Sequence, residues 1–240
     1  MFKNKIILIT GGTRGIGYSI VENFLKEDAI VILFGSKEES VSKALESLKK
    51  INSSYRVEGY VTNLADLQEV EKVVGNLAQR YGKIDILVNN AGYVVPRSIR
   101  EADLTNTKNH IDINLGGLFY CTEIALKYNP DLHIINIGSA AAIETHATWS
   151  EYCATKAAVV MATKCWAEDG LYSVVISPGR TRTKMRKSLF PDEDQNTLLQ
   201  PDDFAKVVMK AVRKEYPSGA HVVVRKQNVE LLLNSNELGE

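Results

Sequence analysis

Lys plus Arg and Asp plus Glu stand at 29 each, so this 240-residue chain has no net charge. A global basic field for nucleic acid or for an anionic membrane is therefore excluded. No apolar run is long enough to span a bilayer, and Met1-Phe-Lys-Asn-Lys5 leads straight into a strand-like segment rather than a signal peptide. Cysteine is scarce: Cys121, Cys153 and Cys165 are odd in number and sit in apolar, helix-like stretches. They are expected to be reduced packing thiols of a cytoplasmic protein, not a disulfide frame. No side chains stand at metal-ligand spacing, so no metal is expected, and there is no internal repeat, linker or low-complexity run. What remains is 45% apolar content, enough for one large core.

That content is arranged as alternating strands and helices. Lys5 to Thr10 is a doubly buried strand, followed at once by Gly11-Gly-Thr-Arg-Gly-Ile-Gly17 and the helical pattern Ile20, Val21, Phe24, Leu25. Strand, glycine turn and helix form the context that a dinucleotide fingerprint needs, with a pyrophosphate at the helix N-terminus. Ala29 to Phe34 completes a βαβ unit, and its end offers Gly35-Ser36-Lys37 without a carboxylate. An acid there would hold a ribose 2′-OH; Ser36, Lys37 and Arg14 suit a 2′-phosphate instead, which favours NADP(H). Further alternation follows: a helix over Val41–Leu48, a strand over Tyr55–Val61, a helix over Leu67–Tyr81 and a strand over Ile84–Val88 that ends in Asn89-Asn-Ala-Gly92. Asn63, after the third strand, is placed to hydrogen-bond an adenine. Leu115–Tyr128 reads as an apolar helix with Asn114 at its start, and Leu132–Ile137 as a strand ending at Gly138-Ser139. Tyr172–Ile176 is a strand stopped by Pro178-Gly179, Pro201 opens a helix, and His221–Val224 is a last strand. One doubly wound α/β domain of Rossmann-like type is expected, a parallel sheet with helices on both faces and a core over about 5–225.

Tyr152 and Lys156 lie four apart in the helix that runs on to Trp166, one turn apart on one face. A fixed ammonium beside a phenol favours the phenolate, so the pair is expected to lower the Tyr152 pKa and to pass protons to or from a carbonyl oxygen. A Tyr–Lys pair alone is common on helix surfaces. Here it keeps company with the glycine turn, Asn89-Asn-Ala-Gly92, Asn114, Ser139 and Pro178-Gly179, in that order.

On these motifs the chain resembles the short-chain dehydrogenase/reductase family from Lys5 to about Val224, with Ser139 thirteen positions before Tyr152. The resemblance implies Tyr152 as general acid/base, Lys156 holding the nicotinamide ribose, and Ser139 stabilising the substrate oxygen. It implies that Asn114 holds a water through its helix backbone. It also implies cofactor contacts from Gly11, Thr13, Arg14, Gly15, Ile16, Gly17, Asn63, Leu64, Asn90, Ala91, Gly92, Pro178, Gly179, Thr181 and Thr183. The family's usual Asp near the adenine is Asn63 here, and its usual Ile or Val after Pro-Gly is Thr181. The stretch between Lys156 and Pro178 is about one helical turn short.

The segment after Pro178-Gly179 is expected to cover the substrate over about 180–200. It carries five cations in eight positions, Arg180, Arg182, Lys184, Arg186 and Lys187. Either these form a solvated face balanced by Asp192, Glu193 and Asp194, or Arg180, Arg182 and Arg186 grip an anionic substrate such as a sugar or polyol phosphate. An acyl group on an acidic carrier protein, as for a 3-oxoacyl reductase, is a third reading. A rival of another class is a non-catalytic NADP-binding sensor or subunit. Family members usually pair through the two long helices, so a homodimer or homotetramer is expected, with Leu118, Phe119, Ile124, Val159, Val160 and Trp166 in surplus for one sheet face. Asn228 to Glu240 reads as an extension or tail.

Overall fold

The computed structural model describes residues 1–101 and 103–235. The chain runs β1 (Ile6–Ile9), α1 (Gly15–Lys26), β2 (Ile30–Gly35), α2 (Glu38–Ile51), β3 (Arg56–Val61), α3 (Leu67–Tyr81) and β4 (Ile86–Asn89). It continues through α4 (Leu104–Ile111), a π turn over Asp112–Gly116, α5 (Gly117–Tyr128) and β5 (His133–Ile137). Then come α6 (Ser150–Glu168), β6 (Ser173–Pro178), α7 (Lys184–Leu189), α8 (Pro201–Val212), β7 (His221–Val224) and α9 (Val229–Asn234).

The strands form one seven-stranded sheet in the order β3-β2-β1-β4-β5-β6-β7, parallel at every pairing. Strands buried on both faces must be apolar throughout, and β1 is: Ile7 and Ile9 face α1, α2 and α8, whereas Ile6 and Leu8 face α3 and α5. Burial of each such side chain contributes about 1.5–3 kcal/mol. Order reverses at β1, where β2 leads one way and β4 the other, so the crevice for a ligand opens at the carboxyl ends of these strands. The doubly wound Rossmann-like architecture read from the sequence is what the chain adopts.

Several elements differ from the sequence expectation. The helix expected from Leu115 begins at Leu104, because Asp103 caps it through Asn106 N, and the π turn joins α4 to α5. Pro178 ends β6 as its last strand residue rather than lying beyond it. Part of the expected tail folds: α9 buries Val229 and Leu232, and the Lys210 ammonium bonds the carbonyl oxygens of Leu232 and Ser235. Residues 236–240 lie outside those described. Cys121 is buried, but Cys165 is exposed and does not pack. Leu118, Ile124 and Val159 are buried within the chain, so of the surplus apolar set Phe119, Val160 and Trp166 keep exposed surface. No helix among the described residues is long and apolar enough to cross a membrane.

Candidate active site

The glycine turn is shaped by contacts that leave no room for a side chain. A Cβ on Gly17 would lie 2.2 Å from the Gly11 carbonyl oxygen and 2.5 Å from Asn90 Nδ2. Gly11 itself has φ +64°, a left-handed conformation that favours glycine. Asn90 Nδ2 donates to the carbonyl oxygens of Thr10 and Gly11 at 2.9 and 3.0 Å, and Ala91 N donates to Thr10 Oγ1 at 3.0 Å. Asn90 and Ala91 thus fasten the end of β4 to the turn after β1.

The first turn of α1 has neither a side-chain cap nor an acidic residue, whereas α3 is capped by Asp66 and α4 by Asp103. Free amides at a helix N-terminus fit a pyrophosphate. Thr13 packs where a Gly35 Cβ would be, 2.5 Å from its Cγ2, which brings the turn beside Ser36 and Lys37 at the end of β2. Arg14, Ser36 and Lys37 are exposed, and neither Arg14 nor Lys37 has an ion-pair partner among the described residues. Gly15 and Ile16 are partly buried in the turn. Thr183 lies over Gly15, its Cγ2 3.2 Å from where a Cβ would stand. These residues fit a phosphorylated dinucleotide.

Other expected contacts are engaged within the chain. Asn63 Oδ1 accepts from Ala65 N at 3.2 Å, a local turn. Leu64 is buried against Gly117. The Thr181 hydroxyl, buried, donates to the Gly179 carbonyl at 3.0 Å. Gly179 itself lies beneath Arg225.

Tyr152 and Lys156 stand one turn apart on α6, the Lys156 ammonium 5.8 Å from the phenol ring centre. Lys156 is buried and donates to the Ile137 carbonyl at 2.8 Å, at the end of β5. Burial lowers its pKa to about 8. Burial also raises the Tyr152 pKa, with a Ser139 hydrogen bond opposing it. The expectation that Lys156 lowers the phenol is thereby reversed in the chain itself, because desolvation drives both groups towards their neutral forms. Ser139 caps a short 3-10 turn through Ala141 N at 3.2 Å, while the preceding Gly138 lies against Ser177 Oγ. Gly92 lies beside Lys156 and Asn114, since a Cβ there would meet Lys156 Nζ at 3.8 Å and Asn114 Oδ1 at 4.0 Å.

Asn114 sits inside the π turn and not at a helix start. Its amide brackets Tyr93, accepting from Tyr93 N at 2.7 Å and donating to Tyr93 O at 3.0 Å, and it also donates to Thr155 Oγ1 at 3.1 Å. A π turn displaces backbone carbonyls from the regular ladder and often marks a functional site. Beside it lies a cavity of about 10 Å³ lined by Thr10, Asn89, Asn114, Ile137 and Lys156, room for about one water. The buried Asn89 Oδ1 on its wall has no partner among the described residues.

Sequence reasoning missed Thr155, whose role shows only when α6 meets the π turn, and an ion pair between Arg97 and Glu151. That pair is 3.2 Å long, with side chains 11% and 9% exposed, and ties the loop after β4 to the start of α6. Nothing in the sequence links residues so far apart. The lid cations are also rearranged: Arg186 donates to both Glu193 oxygens at 2.6 and 2.7 Å, and Arg180 reaches Glu193 at 3.5 Å. Only Arg182 of the three expected substrate cations has no ion-pair partner among the described residues. Among those residues no three His, Cys, Asp or Glu side chains converge as metal ligands.

The short chain dehydrogenase family model matches residues 5–194. A 3alpha-hydroxysteroid dehydrogenase from Mediterraneibacter gnavus is 34% identical over 196 residues, 79% of this chain and 78% of that protein. A 3-oxoacyl-(acyl-carrier-protein) reductase from Thermotoga maritima is 29% identical, covering 86% of this chain and 89% of that one. The solved structure of ElxO with NADP bound superposes with a TM-score of 0.81 at 26% identity, over 92% of this chain and 97% of that one. The chain belongs to the short-chain dehydrogenase family of oxidoreductases.

Proposed function

We propose that this chain is an NADP(H)-dependent oxidoreductase that interconverts a ketone and a secondary alcohol, with Tyr152 as general acid/base. The carrying observation is the convergence of Tyr152, Ser139 and Lys156 at the carboxyl edge of the sheet, with Lys156 beside Gly92. The cofactor, when bound, supplies or accepts the hydride. A phenol held protonated by burial is the acid that reduction of a ketone needs at neutral pH. Ser139, whose hydroxyl opposes the rise in the phenol's pKa, would donate to the same substrate oxygen as charge develops on it. The cavity between Asn114, Asn89 and Lys156 suits a water that returns a proton to the Lys156 amine once its ammonium has given one up. Thr155 would keep Asn114 in position for this.

Preference for NADP(H) rests on the open cations Arg14 and Lys37 and on Ser36, with no carboxylate at the end of β2. ElxO, crystallised with NADP, is consistent with it. The names of two relatives, one a hydroxysteroid dehydrogenase and one a 3-oxoacyl reductase, are consistent with hydroxyl–oxo exchange. An anionic substrate is disfavoured at Arg180 and Arg186, since Glu193 already occupies them.

Steady-state oxidation of NADPH and NADH against a ketone panel tests this. NADPH is expected to be the better cofactor, and Tyr152→Phe is expected to lose about 10²–10⁴-fold in kcat while still binding NADPH. A Tyr152→Phe enzyme of undiminished kcat would remove the acid/base assignment.

A further inference from the structure

Resting on the oxidoreductase reading above, we propose that the substrate is an uncharged, ring-bearing ketone or alcohol received against Trp149 and Phe190. Trp149 precedes Tyr152 by less than one turn, and their rings meet edge to face with centres 5.5 Å apart. Phe190, just past the end of α7, stacks on Trp149 at 6.0 Å with an interplanar angle of 28°. The covering segment therefore presents an aromatic ring, not a cation, to the side of the site that holds the phenol.

Two cations of that segment, Arg180 and Arg186, are turned to another task, while Arg182 has no ion-pair partner among the described residues. The Arg186 guanidinium lies 3.8 Å over the Phe190 ring and forks onto both oxygens of Glu193. This fixes Phe190 from one side and cancels the charge nearest the aromatic stack. A phosphate arriving here would have to displace Glu193 from Arg186, and before doing so it would meet a carboxylate. An apolar ring meets no such obstacle.

The surrounding loops agree in character. Those after β4, β5 and β6 leave Val95, Ile143 and Met185 exposed at 43%, 60% and 38%, and Phe190 at 36%. These segments follow the carboxyl ends of β4, β5 and β6, the same end of the sheet as Tyr152, so that end carries exposed apolar side chains from three connections. With Trp149 and Arg186 on the faces of Phe190, a flat or fused ring can rest against the exposed edges of both aromatic side chains at once, whereas an open chain of equal carbon number must first lose its internal freedom.

The test is kinetic, on the full chain with NADPH: 2-decalone against 2-decanone, of equal carbon number, and against dihydroxyacetone phosphate. The bicyclic ketone is expected to exceed both by about tenfold or more in kcat/KM, chiefly through KM. Trp149→Ala and Phe190→Ala are expected to erase that preference, and Trp149→Phe to restore most of it, which a mere folding defect would not do. A preference for the phosphorylated ketone, or a ring preference indifferent to both alanine variants, overturns the proposal. If no ketone is turned over although NADPH binds, the oxidoreductase reading fails, and ring recognition is then judged by binding alone. The chain has two tryptophans, so saturable quenching of fluorescence by 2-decalone, lost in Trp149→Ala, upholds recognition, and its absence in the unsubstituted chain overturns it.

Discussion

The glycine turn after β1 and the covering segment after β6 meet at Thr183, which lies over Gly15, yet the two are held by different means. The turn is held through its backbone and by the absence of side chains within it: Gly17 against the Gly11 carbonyl, and the Thr10 and Gly11 carbonyls taking the Asn90 side-chain amide. The covering segment is tied at its base by backbone hydrogen bonds of Arg180 and Arg182 to Leu199, and beyond that it is held by side chains, through Glu193, Arg186, Phe190 and Trp149. Between them stand the partly buried Tyr152 and the buried Lys156. Backbone contacts tolerate almost no substitution, whereas side-chain contacts can be exchanged, which lets one cofactor cradle serve under many substrate covers.

The comparison breaks most completely at Gly17. Gly17→Ala puts a Cβ within 2.2 Å of a backbone oxygen, so the turn must shift. A loss of roughly 10–100-fold in NADPH affinity is expected, from an overpacking strain of about 1–3 kcal/mol. Calorimetric titration checks it, and an unchanged Kd would mean that the cradle is softer than its contacts indicate.

A smaller effect is expected at the buried base. With a pKa of about 8 in the folded chain and the ordinary 10.5 when unfolded, Lys156 is more often protonated in the unfolded state between those values. Its burial therefore penalises folding fully below about pH 8 and ceases to do so by about pH 10.5. Relative to Lys156→Met, the unsubstituted chain should gain on the order of 1–2 kcal/mol of stability from pH 7.5 to pH 9.5. Urea unfolding of both proteins at the two pH values measures this. A constant difference would show that Lys156 keeps its ordinary pKa.

The mildest change is expected in the cover. Glu193→Gln keeps the shape but removes the charge that Arg186 and Arg180 share. KM for a neutral ketone is expected to rise about threefold with kcat nearly unchanged, as suits one partly exposed ion pair. A change in kcat larger than that in KM would place Glu193 in the chemistry and undo the contrast between cradle and cover.

Legibility from sequence follows the same division. The alternating strands and helices were readable because a parallel sheet buried on both faces needs continuous apolar runs, as in Ile6–Ile9. Tyr152 and Lys156 were readable because helical spacing alone sets them one turn apart. Their protonation behaviour was not: the sequence shows an ammonium four residues from a phenol, but only packing shows that both are desolvated and that Lys156 points to Ile137. Asn114 was found as a residue and misplaced as a helix start, since the π turn that holds it depends on Tyr93 and Thr155 coming from elsewhere.

The sequence by itself determined the order of elements, the glycine turn and the Tyr–Lys spacing, because each depends on neighbours within a few positions along the chain. Tertiary structure alone decided which cations of the covering segment stay free, that Arg97 meets Glu151, and that Trp149 and Phe190 stack beside the phenol. Those outcomes depend on distances between residues remote in sequence and on the water that folding removes around them, which local pattern does not encode.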